Sequence, residues 1–144
     1  MTPEEWIQAW RQLDNGCTAL FRAQACRLGL SDAQFQILYE LYLAPQPLTQ
    51  NELAARLFAP KQTVNSAVAQ LVRQQYVSLT QRPGPGNTKL AALTADGRTF
   101  CAAHMRRIVE AEQRAAASLS DAQRQSFAAI YAQWLQNLKG ELEP

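Results

Sequence analysis

The chain has 144 residues, of which 47% are hydrophobic and 18% are charged, and its formal net charge is +2. This composition excludes a disordered chain, and the length suits one folded domain that needs no disulfide bond or metal for stability. The sequence has no apolar run long enough to cross a membrane, and its acidic start is unlike a secretory signal peptide, so we expect a cytoplasmic protein with reduced cysteines.

Two helices are predicted before residue 48. Thr2-Pro3-Glu4-Glu5 is a capping box, in which the first and fourth side chains each accept a hydrogen bond from the other residue's backbone N–H. Apolar residues then recur every three or four positions as one stripe: Trp6, Ile7, Trp10, Leu13, Cys17, Leu20 and Phe21. Asn15-Gly16 interrupts this helix and is expected to bend or loosen it. A second capping box, Ser31-Asp32-Ala33-Gln34, begins a short and largely buried helix that Pro45 ends.

The middle of the chain predicts a helix, a turn and a second helix. Leu48-Thr49 fits one step of a strand, and Thr49-Gln50-Asn51-Glu52 is a third capping box. Pro60 breaks the helix that follows and opens the next one, which runs to about Gln74. The inner face of this second helix is apolar: Val64, Ala67, Val68, Leu71 and Val72. Its outer face is rich in amides and hydroxyls, where an ordinary solvated helix would carry charged pairs.

The pattern then changes to a period of two residues. Val77–Gln81 and Lys89–Leu93 are predicted strands, and the Pro/Gly-rich loop at 82–88 joins them into a β-hairpin. Thr94-Ala95-Asp96-Gly97 opens a long helix. A capping box at Ser120-Asp121-Ala122-Gln123 begins the last helix, which is amphipathic.

This order of elements predicts a mainly α (α+β) fold with a winged helix-turn-helix core at 30–93 and a two-stranded wing. The flanking helices, at 1–29 and 94–144, carry apolar stripes too large for one small wing domain to cover. We therefore expect them to form the interface of a homodimer, which suits double-stranded palindromic DNA. The second helix of the pair is the expected recognition helix, because amides and hydroxyls hydrogen-bond base edges.

The charge distribution points to the same region. Residues 48–93 carry five basic side chains and one acidic side chain, a local charge of +4, while the rest of the chain sums to −2. A basic centre between acidic flanks predicts a surface that binds a polyanion. Five charges over this length also suit an ordinary solvated surface, so the charge alone does not decide between the two.

Four ordered segments carry a resemblance to a known family. They are residues 29–38 (GLSDAQFQIL), 48–57 (LTQNELAARL), 61–73 (KQTVNSAVAQLVR) and 93–98 (LTADGR). In this order they resemble the MarR family of bacterial transcriptional regulators. The resemblance implies a winged-helix homodimer on palindromic promoter DNA, released by a small amphipathic or phenolic ligand or by thiol oxidation. It also implies a ligand cleft between the dimer helices and the winged-helix lobe.

Two positions depart from the family pattern. The family wing usually carries an Asp-Arg pair near its tip, whose arginine enters the minor groove, and here that stretch is Pro85-Gly86-Asn87. The sequence therefore does not predict minor-groove reading by this wing, and Arg82 and Lys89 are expected to serve only the phosphates. Gln75-Tyr76 replaces the usual Gly-apolar pair, so the recognition helix ends without its usual left-handed residue.

The candidate DNA-binding residues follow from this placement. Those expected at base edges or nearby phosphates are Gln62, Thr63, Asn65, Ser66 and Gln70. Those expected at phosphates are Lys61 and Arg73 on the helix and Arg82 and Lys89 on the wing, with Asn87 at the wing tip. Gln50 and Asn51 lie at a helix N-terminus, which favours phosphate, but they suit a solvent-facing position equally well. The alternative for the whole helix is an ordinary polar surface.

The cysteines raise an alternative mechanism, a thiol-redox switch on the same fold. Cys17 and Cys26 are nine residues apart, which places them on opposite sides of one helix, so they cannot pair within it. The apolar spacing around Cys17 and Cys101 instead predicts buried, unreactive thiols. A disulfide bond between subunits stays open.

The sequence contains no catalytic motif and only one histidine, His104. We therefore expect neither an enzyme nor a metal or cofactor site. A different class of function also stays open: an adaptor that binds a ligand or a protein and has weakened DNA binding. The wing tip without arginine favours that alternative.

Overall fold

The structure is a computed structural model that describes residues 1–143. Over those residues it contains six helices and three strands, which are α1 (Pro3–Arg27), α2 (Asp32–Leu43), β1 (Leu48–Thr49), α3 (Gln50–Leu57), α4 (Lys61–Arg73), β2 (Val77–Gln81), β3 (Lys89–Leu93), α5 (Ala95–Ala117) and α6 (Asp121–Leu142). The predicted mainly helical winged-helix fold and the order of its elements are confirmed. The chain divides into two compact units, one from Met1 to Ala103 and one from His104 onward.

The capping boxes begin four of the helices. The side chains of Thr2, Ser31, Thr49 and Ser120 accept hydrogen bonds from the backbone N–H three residues later, and the reciprocal bonds are present. Such a cap stabilises a helix by about 1 kcal/mol. α1 runs unbroken through Gly16, so the expected interruption does not divide the helix.

The sheet ties the wing to the helix-turn-helix. Its strand order is β1-β3-β2, and both pairings are antiparallel, with Leu48 opposite Ala91 and Val77 opposite Leu93. The predicted two-stranded wing is thus extended by β1, the short strand that the sequence indicated. Thr49 ends β1 and also caps α3, so the wing and the first helix of the pair are fixed to each other.

The core of the first unit includes the inner face of α4. Its large fully buried side chains include Phe35, Ile37 and Leu38 of α2, Leu53 of α3, Val64, Val68 and Leu71 of α4, Val77 of β2 and Cys101 of α5. Burial of each side chain of this size stabilises the fold by roughly 1.5–3 kcal/mol. The predicted inner face of α4 is confirmed except at Val72, which is 37% exposed because it turns toward the polar side.

Two non-glycine residues in the described chain have a left-handed backbone: Phe58 with φ of 49° and Gln75 with φ of 67°. Phe58 ends α3, where its backbone N–H donates to the carbonyl of Ala55 at 3.3 Å. Gln75 follows α4, so the recognition helix does end on a left-handed residue, although the usual glycine is absent there. The left-handed region costs a residue with a Cβ roughly 1–2 kcal/mol, so both positions carry a conformational cost.

The start of α5 packs directly against the backbone that leaves α4. The backbone N–H of Thr94 donates to the carbonyl of Tyr76 at 3.1 Å, and the Thr94 hydroxyl bonds the carbonyl of Gln75. A Cβ at Gly97 would lie 2.0 Å from the carbonyl oxygen of Tyr76, so only glycine fits there. This contact fixes the path from the recognition helix into the wing.

Candidate nucleic-acid interface

The outer face of α4 presents the predicted polar side chains to solvent. The exposed residues of this helix are Lys61, Gln62, Thr63, Asn65, Ser66, Ala69, Gln70, Val72 and Arg73. By helical spacing, Gln62, Asn65, Ser66 and Arg73 share one face, opposite the buried residues, while Thr63 and Gln70 flank it. No acidic side chain lies on α4. A polar, acid-free helix face of this kind matches the donors and acceptors of base edges.

The N-termini of α3 and α4 differ in whether a side chain bonds their free backbone N–H groups. No side chain caps α4, whose N-cap residue is Pro60, so its first-turn N–H groups have no side-chain partner at the cap. At the start of α3, the Thr49 hydroxyl accepts a hydrogen bond from the backbone N–H of Glu52 at 3.0 Å. The Glu52 carboxylate accepts one from the backbone N–H of Thr49 at 2.8 Å. Gln50 is half-buried there and Asn51 is exposed, so Asn51 is the better placed of the two for a phosphate.

Gln70 has a structural contact that sequence reasoning missed. The side-chain amide of Gln34 donates to Oε1 of Gln70 at 2.9 Å, and Oε1 of Gln34 accepts from the backbone N–H of Ser31 at 2.8 Å. Gln34 is 5% exposed, so the bond fastens α4 to the buried start of α2. The capping pattern identified Gln34, but its partner is 36 residues away. Gln70 therefore holds the recognition helix in place whether or not it also touches DNA.

The wing tip is a closed loop. The backbone N–H of Arg82 donates to the carbonyl of Thr88 at 2.9 Å, and the side-chain amide of Gln81 donates to the carbonyl of Gly86 at 2.7 Å. No pattern in the sequence indicated this role of Gln81. The candidate wing residues Arg82, Asn87 and Lys89 are all exposed.

Positive charge is concentrated around these elements. Between Glu52 and Asp96 the sequence contains five basic residues and no acidic one: Arg56, Lys61, Arg73, Arg82 and Lys89. All five are exposed, and Arg56 forms an ion pair with Glu40 at 3.4 Å. This pair is partly solvated and contributes little to stability. An exposed basic stretch without acidic residues is typical of surfaces that bind polyanions.

The cysteines differ from one another in exposure. Cys17 and Cys26 are exposed, so the prediction of a buried Cys17 is wrong for the single chain. Cys17 lies on the apolar stripe of α1, which the rest of this chain leaves largely uncovered. Cys101 is fully buried as predicted, and burial raises the pKa of its thiol to about 11. In residues 1–143, no three His, Cys, Asp or Glu side chains are grouped as a metal site would need.

The terminal helices leave large apolar side chains in solvent. On α1, Leu13 is 76% exposed and Leu20 is 69% exposed. On α6, Phe127 is 69% exposed and Ile130 is 63% exposed. No helix in the described part of the chain is both long enough and apolar enough to span a membrane. Several large apolar side chains exposed on one helix are typical of an interaction site.

Comparison with known proteins gives one family-model match over part of the chain and several similar solved structures. The MarR family model matches residues 28–86. No curated protein matches the chain. Among solved structures, a MarR family regulator from Neisseria meningitidis is 18% identical, with a TM-score of 0.80 over 99% of this chain and 97% of that chain. S. aureus MepR in its DNA-binding conformation is 21% identical, with a TM-score of 0.80 over 92% of this chain and 98% of that chain.

A MepR–DNA complex from S. aureus is also similar, at 22% identity and a TM-score of 0.73 over 92% of this chain and 97% of that chain. At these identities the solved structures show a shared fold over nearly the whole length. The family model adds a sequence match that covers α2, the helix pair, the first strand of the wing and most of its tip. Residues 28–86 therefore match the MarR family model, and nearly the whole chain shares the fold of solved MarR family regulators.

Proposed function

We propose that the chain is a homodimeric, sequence-specific DNA-binding transcriptional regulator, a repressor that a small amphipathic or phenolic ligand releases from DNA. The observation that carries this proposal is the outer face of α4, which is polar, exposed and free of acidic residues. The solved MepR–DNA complex supports it, because a protein of the same fold binds DNA.

In this proposal α4 enters the major groove. Gln62, Asn65 and Ser66 hydrogen-bond base edges, and Thr63 and Gln70 contact bases or phosphates at the sides of the helix. The remaining candidates contact phosphates: Lys61, Arg73, Asn51, Gln50 and, on the wing, Arg82, Asn87 and Lys89. The wing tip has no arginine between Pro83 and Thr88, so this wing adds phosphate contacts without reading the minor groove.

The exposed apolar surfaces of α1 and α6 support the homodimer. A folded monomer rarely leaves several large apolar side chains of two helices in water, because each one covered by a partner gains free energy in proportion to its buried area. A second copy presents the same stripes, and closed two-fold assembly is the commonest arrangement of identical chains. A two-fold dimer also presents two copies of α4, which fits a palindromic site.

A cavity supports the ligand-release part of the proposal. Its volume is about 350 Å³, and it lies between the end of α2, the loop after it, β3 and α5. Leu41, Tyr42, Pro45 and Leu93 give it apolar walls, and Arg98 adds a cationic group. Small ligands bind in mostly apolar clefts with a few polar groups, so the cavity suits a small aromatic acid.

Gel shifts test the DNA-binding part. The probe is a duplex that the wild-type protein selects from a randomised pool, together with the DNA upstream of its own gene. The triple variant Gln62→Ala/Asn65→Ala/Ser66→Ala should lose sequence preference. The control is Gln133→Ala/Gln136→Ala, which removes exposed amides from α6 and should bind as the wild type does. Retained affinity and preference in the triple variant would reject the assignment of these residues.

Salicylate serves as the probe for ligand release. Salicylate should raise the melting temperature of the wild-type protein and weaken its binding to DNA in the gel shift. The Arg98→Gln variant should show neither response. Equal responses in the variant would remove the cavity from the proposal.

The exposure of Cys17 and Cys26 favours a second candidate, a thiol-redox switch on the same fold. Peroxide treatment before the gel shift separates the two, because the redox candidate requires weaker binding that a thiol reductant restores. A third candidate, a ligand- or protein-binding adaptor, is favoured by the wing without a tip arginine. It requires that the wild type select no DNA sequence from the pool.

A further inference from the structure

We propose that Phe58, in the turn between α3 and α4, is a DNA-contacting residue that packs its ring on an apolar part of the duplex beside the recognition helix. This inference rests on the proposed DNA binding and adds a contact that none of the polar candidates supplies. The apolar parts available on DNA are the thymine methyl group in the major groove and the deoxyribose of the backbone.

Phe58 is placed in a way that costs stability within the chain itself. Its side chain is 92% exposed, the highest value among the large apolar residues of the structure. Its φ of 49° is in the left-handed region, where glycine is the favoured residue at the end of a helix. A glycine here would remove both the backbone strain and the exposed ring. An outlier of this kind, held by the surrounding fold, is the type of feature that marks a functional position.

The surrounding fold does fix this turn. The backbone N–H of Ala59 donates to the carbonyl of Ala54 at 3.1 Å, which closes the end of α3 around Phe58. Leu53 and Val64, on the two helices that the turn connects, are fully buried. The ring is therefore presented from a rigid base, so contact with a partner does not require ordering of the backbone.

The surroundings of Phe58 favour DNA over a protein partner. Phe58 is the only exposed large apolar residue between Leu43 and Val72, so the helix pair itself adds no further exposed apolar side chain of this size to a patch around it. The exposed cation Lys61 lies three residues away in the chain, and the exposed Arg56, which is paired with Glu40, lies two residues away. A single ring beside cations matches a duplex, in which apolar sugars and methyl groups alternate with phosphates.

Continuity with α4 strengthens this assignment. Phe58 comes two residues before Pro60, the N-cap of α4, so its Cα lies within about 11 Å of Lys61, the first residue of the helix. The start of a recognition helix is the part that approaches the bases. A ring at this position reaches the edge of the half-site that α4 reads.

The test compares two glycine substitutions. Phe58→Gly and Gln75→Gly each relieve a left-handed non-glycine residue, and both side chains are exposed. Both variants should melt a few degrees higher than the wild type, roughly 3 °C, because glycine suits this backbone. Only Phe58→Gly should lose affinity for the selected duplex. The loss should be about tenfold, because that is the gain in affinity expected when one aromatic ring becomes buried in the complex.

A more stable protein that binds DNA more weakly is a combination that a purely structural role does not produce. Wild-type affinity in Phe58→Gly would overturn the inference while the proposed function stands. Equal losses in both variants would overturn it too, because the cause would then be the turn geometry and not the ring. If the wild type selects no duplex, the proposed function fails first, and this inference fails with it.

Modified duplexes identify the surface that the ring touches. Thymines at the edge of the half-site are replaced one at a time by uracil, which lacks the methyl group. If one replacement weakens the wild type about as much as Phe58→Gly does, and leaves Phe58→Gly unaffected, the contact is a thymine methyl. If every uracil duplex binds normally and Phe58→Gly alone is weak, the contact is the deoxyribose.

Discussion

The close approach of α5 to the end of α4 gives the sharpest test of the fold. Gly97 lies in the first turn of α5, and a Cβ there would be 2.0 Å from the carbonyl oxygen of Tyr76, where contacts shorter than 3.0 Å are essentially never seen. The carbonyl belongs to the backbone and cannot rotate away as a side chain would. Gly97→Ala must therefore push the start of α5 and the strand after α4 apart by more than 1 Å.

The expected cost follows from the contacts that this movement disturbs. Overpacking of a well-packed site costs roughly 1–3 kcal/mol, and the bond from Thr94 N–H to the Tyr76 carbonyl would add about 1 kcal/mol if it breaks. Alanine is better than glycine within a helix by up to about 1 kcal/mol, which offsets part of the loss. We expect Gly97→Ala to be destabilised by about 1–3 kcal/mol.

Thermal unfolding followed by circular dichroism measures this effect. At about 3 °C per kcal/mol for a chain of this size, the melting temperature should fall by roughly 3–9 °C. Gly140→Ala is the matched control, since Gly140 lies in α6 with no atom within 4 Å of the added Cβ. The control should be unchanged or slightly more stable. Equal melting temperatures for Gly97→Ala and the wild type would refute the close approach.

Three further predictions concern the thiols and the dimer. Iodoacetamide at pH 8 should label Cys26 in the folded protein and Cys101 only after unfolding, which mass spectrometry would show; fast labelling of Cys101 would contradict its burial. Burial raises the pKa of the Cys101 thiol to about 11, so the folded state favours the neutral thiol. The stability that the neutral thiol contributes is complete below pH 9 and is lost as the pH rises toward 11. Relative to Cys101→Ala, the wild type should lose on the order of 2 kcal/mol of unfolding free energy over that range, and parallel pH curves would count against it. Phe127→Glu/Ile130→Glu should convert a dimer into a folded monomer by light scattering, whereas an unchanged mass would exclude α6 from the interface.

The elements that sequence predicted best are those fixed by local chemistry. Four helices begin at capping boxes, whose bonds span three residues, so the signal is contained in a short window. The hairpin follows equally from a change of period and a Pro/Gly loop. The candidate residues of α4 were found to be exposed because one buried stripe on a helix determines the opposite face.

The features that sequence did not reveal depend on distant parts of the chain or on a second chain. Pro60 marked the break between α3 and α4, but no local signal showed that Phe58 would take the left-handed conformation. The contact between Gly97 and Tyr76 joins residues that are 21 positions apart, so neither residue indicates it alone. The burial of Cys17 was predicted from an apolar stripe, and a stripe does not distinguish a core from an interface.

Gln70 provides a case in which the structural and DNA-binding roles of one residue are separable. Gln70→Ala removes the acceptor of the Gln34 amide and leaves a nearly buried donor without its partner, which should cost about 1–3 kcal/mol. Gln70→Glu keeps an acceptor oxygen at the same reach, so its melting temperature should stay near that of the wild type.

The added negative charge should nevertheless weaken DNA binding, and Gln74→Glu, at the exposed C-cap of the same helix, measures how much a charge weakens binding from further away. A larger loss for Gln70→Glu than for Gln74→Glu places Gln70 beside the DNA as well as in the scaffold. Equal losses would assign Gln70 to the scaffold alone, because a general charge effect would then explain both variants.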